Sequence, residues 1–173
     1  WASFRADLRN GLHKLRGRTS ASHKRFVAFV IVDGALLRIS QMGLGVIHDE
    51  AFTYVAYAEK PVGYILSNFA SPNNHILHTL LVKASTALFG VHLWSLRMPA
   101  LLAGILVMPV FYVFARLMFN RYIALLSLTF VAASGALIEY SALARGYSLT
   151  WLFMLCALLA GRHFTKSNNV VSA

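Results

Sequence analysis

A chain of 173 residues that is 58% hydrophobic and 13% charged is too apolar for an ordinary soluble domain, which is about half apolar and a quarter charged. The composition indicates a polytopic membrane protein. A net charge of +10 would suit nucleic acid, but seven of the sixteen Lys and Arg precede Phe26; a basic head before apolar spans orients a membrane protein, and no nucleic-acid partner is expected.

In chain order, residues 1–25 read as a basic cytoplasmic segment. Phe4, Leu8, Leu12 and Leu15 are spaced for a short amphipathic helix on anionic lipid, and a mobile charged tail is the alternative. No cleavable signal peptide is visible. The chain opens on Trp1, so a fragment of a longer protein is expected. Residues 26–162 read as a transmembrane domain and 163–173 as a C-terminal tail. The first candidate span, 26–47, carries Asp33 and Arg38. Each charge costs about 3 kcal/mol at mid-bilayer on insertion scales, so both are expected to lock this span to its neighbours.

Residues 48–74 read as a loop. It holds the adjacent acids Asp49 and Glu50, a helix-capable stretch over 51–58, and turn chemistry at Ser71-Pro72-Asn73-Asn74. Over 75–89, Ile76, Leu77, Leu80, Leu81, Ala84 and Leu88 share one helical arc. His75, His78, Thr79, Lys83, Ser85 and Thr86 share the other. At 1.5 Å per residue this helix covers about 22 Å, short of the roughly 30 Å hydrocarbon core. It is therefore laid in the interface, polar face toward the loop, with a short span as the alternative. Residues 98–118, 122–138 and 147–160 are clean spans. The fold class is thus all-α: a polytopic transmembrane helical bundle with interfacial amphipathic helices in the first outer loop. Cys156, the single cysteine, cannot form an intrachain disulfide.

With the N-terminus cytoplasmic, eleven of the sixteen basic residues fall inside and four outside, while four of the six acids fall outside. This is the positive-inside bias. It puts Asp49-Glu50 and the 139–147 stretch on one outer side, where they can converge.

Asp49 and Glu50 could supply a general base, and mutual repulsion would raise one pKa; alternatively they are a solvated acidic loop. Arg145 has a planar fork suited to phosphate, or it anchors a span end. Lys83 is a second phosphate candidate, or it snorkels. His75 and His78 share a helical face and, with Asp49 or Glu50, could hold a divalent metal; hydrogen bonding to loop or sugar is the alternative. No cofactor is firmly required. Asn73 and Asn74 suit sugar hydroxyls, or they form the turn and cap the next helix. Tyr140 and Tyr147 could be interface anchors, and Glu139 could orient Arg145.

His48-Asp49-Glu50, Pro72-Asn73-Asn74-His75, Leu88-Phe89-Gly90, Arg97-Met98-Pro99-Ala100 and Tyr140-Ser141-x-x-Ala144-Arg145-Gly146-Tyr147 together resemble the N-terminal part of GT-C glycosyltransferases. The resemblance is to the bacterial protein-mannosyltransferase-like and aminoarabinose-transferase-like groups and covers roughly residues 40–160. It implies an enzyme of the bacterial inner or plasma membrane whose site faces the periplasm or exterior. The implied donor is a sugar on a polyprenyl phosphate, and the acceptor a hydroxyl on glycan, lipid or protein. It implies Asp49 as base, with Glu50 positioning sugar hydroxyls or a metal. Arg145, Lys83 and Tyr147 fall to the donor phosphate, and Asn73, Asn74, His75, His78, Glu139 and Tyr140 to the sugar and acceptor. The family also carries further spans, so this chain alone is expected to be inactive. The rival readings are a non-catalytic transporter or lipid-handling protein, which would line a path through the spans with charge, and a structural membrane subunit.

Overall fold

The computed structural model describes residues 19–167, with side chains as far as Arg162. Those residues form helices and no strand. The amphipathic helix expected over Phe4, Leu8, Leu12 and Leu15, and residues 168–173 of the tail, lie outside them.

Helix α1 (Ala21–Ser40) begins where the Ser20 hydroxyl accepts the His23 N–H at 3.3 Å, satisfying one orphan donor of the first turn. It runs on into a 3-10 turn over Gln41–Gly43. The span thus starts at Ala21, not at 26. The acidic loop is itself helical. α2 (His48–Thr53) passes directly into a π-helical turn, Tyr54–Ala58, and a short α3 (Val62–Ser67) follows. α4 (Ile76–Phe89) is inside-out relative to a soluble helix. His78, Thr79, Val82, Ser85 and Thr86 are buried, while Leu77, Leu81 and Leu88 face outward. The polar arc therefore meets protein and the apolar arc is left for lipid, as the spacing predicts.

α5 (Leu93–Met118) has 26 residues and is about 39 Å long, enough to cross a bilayer. It starts at Leu93, not at 98, so Pro99 is interior rather than near the start. A tight turn explains the earlier start. Gly90 takes φ +81° after α4, a region that costs glycine little. The Ser95 hydroxyl then accepts the His92 N–H at 3.1 Å and donates to the Gly90 carbonyl at 2.7 Å. Pro99 has no N–H for the Ser95 carbonyl one turn back. The Ser85 hydroxyl of α4 fills that role at 2.7 Å.

α6 (Arg121–Ala133) and α7 (Gly135–Ser141) correct the expectation of one straight span over 122–138. The chain breaks at Ser134 and bends by 59°. A break inside a membrane exposes helix-end carbonyls, which must find donors in the protein. Arg38 supplies them. Its guanidinium donates to the carbonyls of Val131 (3.2 Å), Ala132 (3.2 Å) and Gly34 (2.8 Å) and is fully buried. Arg38 thus locks α1 to α6 without Asp33, which is exposed on another face of α1. α8 (Tyr147–Ser167) closes the described chain.

Small residues set the packing distances. A β-carbon at Gly34 would overlap Met108 and Ala132, and one at Gly104 would overlap Ser141. α1, α5 and α6 therefore meet around Met108, Leu128 and Ala132, and α5 meets α7 closely. Two helical stretches, Ala21–Gly43 and Leu93–Met118, are each long and apolar enough to cross a membrane, and the bent α6–α7 pair makes a third if taken as one span. Phe26, Phe29, Leu102, Leu106, Phe130 and Phe153 are exposed around them. So large an outward apolar belt makes this a polytopic helical integral membrane protein.

Candidate active site

The first turn of α2, the start of α5 and the bend before α8 come together at one end of the bundle. Glu50 and Arg97 form its floor, and both side chains are wholly buried. Arg97 Nε and Nη2 donate to the two Glu50 oxygens at 2.8 and 2.6 Å. Its other N–H groups reach the carbonyls of Met42 (3.0 Å), Leu44 (2.8 Å) and Gly45 (3.0 Å). A guanidinium has five N–H donors, and all are used. Glu50 also accepts the Ala144 N–H at 2.7 Å and the Ile47 N–H at 3.2 Å, which fills its roughly four lone-pair directions. Burial alone would raise its pKa. The bonds from Arg97, Ala144 and Ile47 outweigh that and hold Glu50 below the usual carboxylate range.

One expectation about Glu50 is therefore corrected: its lone pairs are taken, so none remains for a sugar hydroxyl or a metal. Among the described residues, no three His, Cys, Asp or Glu side chains gather as a metal-ligand set.

Above this floor sits the second pair. Arg145 Nη1 donates to Asp49 Oδ2. Asp49 is about half exposed, at 46%, whereas Arg145 is at 10%. Arg145 Nη2 donates to the Tyr147 hydroxyl at 3.0 Å, its guanidinium lies 5.2 Å from the Tyr147 ring centre, and its Nε is buried without a partner. Tyr147 in turn meets Tyr140 at 4.8 Å and His75 at 5.6 Å between ring centres. Gly146 lets the bend approach this close, since a β-carbon there would overlap His75.

His75 Nε2 and both ring nitrogens of His78 are buried and without partners. Burial first, then the charge of Arg145, lowers the His75 pKa. Burial, then His75 and Arg145, brings His78 down to about 4. Both imidazoles are neutral at pH 7.

The remaining expected residues divide differently. Asn74 is a strut. Its amide donates to the carbonyls of Ile65 (2.9 Å) and Asn68 (2.8 Å) and accepts from Thr79 (3.1 Å), so it ties α3 to α4 rather than facing a sugar. Asn73 shapes the turn through its backbone: its N–H donates to the Ser71 hydroxyl and its carbonyl accepts the His75 N–H. Lys83 donates to the carbonyls of Ala58 (3.2 Å) and Lys60 (2.8 Å). It caps the π-helical turn instead of waiting for a phosphate. Glu139 is exposed and pairs with no cation among the described residues; the partner that orients Arg145 is Asp49.

Residues 72–172 match the family described as dolichyl-phosphate-mannose-protein mannosyltransferase. The chain belongs to that family. Comparison with curated proteins and with solved structures found no match. Membership makes this a membrane glycosyltransferase of the GT-C type, as the resemblance implied. The matched stretch contains Arg97, Ala144, Arg145 and Tyr147 but not Asp49 and Glu50, which the fold brings to it. Arg97 is the participant that sequence reasoning left without a role. The signal was present: a charge near the start of an apolar helix requires a buried partner, and the acid pair lay on the side to which the topology assigned it.

Proposed function

We propose that the chain transfers a sugar from a polyprenyl-phosphate donor to an acceptor hydroxyl, with Asp49 as general base and Arg145 on the donor phosphate. The observation that carries this reading is the Asp49–Arg145 pair, an accessible carboxylate against a nearly buried guanidinium. Glycosyl transfer to a hydroxyl needs a base for the acceptor proton and a cation for the leaving phosphate.

At rest the two groups neutralise each other. A donor phosphate competes for the Arg145 fork, whose Nε donor is unused, and in doing so frees the Asp49 carboxylate. Base and donor then become available together. Tyr147 holds the other arm of the fork, and Tyr140 and His75 wall the space beside it. His78, neutral and unpartnered, is a donor or acceptor for the sugar. Glu50 takes no part in bond making; with Arg97 it holds α2 so that Asp49 points outward.

The charge asymmetry supports an N-terminus in the cytoplasm and a site facing the periplasm or exterior of a bacterial membrane. The transporter reading loses its support from Arg38, which is consumed by helix-end carbonyls. The test is sugar transfer by the full-length protein. Asp49→Asn lowers product formation by about 10²–10⁴-fold, the usual worth of a general base, with expression and helicity unchanged. Unchanged product formation would remove Asp49 from this role.

A further inference from the structure

At the other end of the bundle lies a cavity of about 210 Å³, lined by Thr19, Lys24, Val27, Tyr112, Val113 and Arg116. We propose that it binds the phosphate of an anionic phospholipid in the leaflet opposite the Asp49–Arg145 site.

The position argues first. Arg97 and Arg116 stand on the same helix, α5, nineteen residues apart. At 1.5 Å per residue that is about 28 Å, close to the roughly 30 Å of hydrocarbon. If Arg97 marks one headgroup level, the cavity opens at the other, so the bound lipid is not the sugar donor.

The chemistry argues second. Two cations from different helices, Lys24 and Arg116, line one small space. Among the described residues no carboxylate pairs with either of them. Arg116 Nε is buried and has no partner. Lys24 is exposed and Arg116 half-buried, so the two present positive charge from two helices to an anion that enters this space. Tyr112 is fixed at the wall by a 3.0 Å hydrogen bond between its hydroxyl and His23 Nε2. Val27 and Val113 make the rest of the lining apolar, which suits the glycerol and upper acyl chain of a lipid better than a hydrated free ion. Basic pockets between transmembrane helices are a recognised setting for anionic headgroups.

The experiment follows thermal unfolding of the purified chain in neutral detergent during titration with phosphatidylglycerol, phosphatidylcholine or inorganic phosphate. Phosphatidylglycerol is expected to stabilise saturably, and the other two are not. Lys24→Gln and Arg116→Gln are each expected to weaken the response about five-fold, and the pair about thirty-fold, from the usual worth of one cation near an anionic headgroup. Val113→Phe, which fills the cavity without changing charge, should weaken it as well. Arg25→Gln, an equal loss of charge at the neighbouring residue, which does not line the cavity, should not. An equal response to phosphatidylcholine, an equal response to inorganic phosphate alone, or as large an effect from Arg25→Gln as from Lys24→Gln would each overturn the proposal. Val113→Phe keeps it falsifiable should the double charge variant fail to fold.

Discussion

Glu50 and Arg97 show what a closed hydrogen-bond shell does to a buried charge pair. A buried ion pair adds little net stability when both partners are present, but breaking one is severe because the other charge is stranded. Glu50→Ala is therefore expected to destabilise the fold by about 3–5 kcal/mol, read as a loss of detergent-solubilised folded chain. Asp49→Ala, at a half-exposed position, should cost far less. The pH dependence follows from the same residues. The Glu50 pKa is depressed in the folded state, so its stabilisation is present above the ordinary carboxylate pKa and is lost as pH falls through the folded value. His78 is lowered to about 4. Between roughly pH 6.5, the ordinary value for histidine, and about 4, the unfolded chain takes up a proton that the folded chain refuses, and stability falls with pH. Unfolding temperatures across pH 7 to 4 should therefore decline, and His78→Phe should flatten the upper part of that decline. A profile unchanged by His78→Phe would mean the imidazole is not held neutral.

At the scale of elements, α4 and α5 are coupled through a missing proton. Ser85→Ala leaves the Ser95 carbonyl without the donor that Pro99 cannot supply, at a cost of about 1–3 kcal/mol for an unsatisfied buried acceptor. Pro99→Ala restores a backbone N–H there. The double variant should thus be less destabilised than the sum of the two, a coupling measurable in a double-mutant cycle. This coupling also marks how far the sequence could be read. The two-faced pattern of 75–89 gave the helix and its orientation, because arcs of like polarity survive in any packing. The sequence also gathered Asp49 and Arg145 at one end, because charge bias orients the spans and so decides which of their ends lie together. It did not settle the break at Ser134, since the pair Ser134-Gly135 permits a kink without requiring one. The bend depends on Arg38, ninety-three residues away from Val131 in sequence, satisfying the freed carbonyls. Nor did it distinguish Lys83 and Asn74 as struts from Lys83 and Asn74 as ligands, because donors of the same kind serve backbone carbonyls and sugar hydroxyls alike.

For the whole molecule, Arg97 joins segments that are made at very different times. Its guanidinium grips the 3-10 turn and the link that follows it, over 42–45, and Glu50, while Glu50 also takes the Ala144 N–H, ninety-four residues further along the chain. At about 5–20 residues per second, the ribosome delivers Ala144 on the order of 5–20 s after Glu50. Throughout that interval the acid lacks one bond of its shell, the one from the Ala144 N–H. The stretch from Met42 to Glu50 therefore completes its contacts only once the bend before α8 has been made, and the guanidinium of Arg97, made in between, is the group around which the two stretches close.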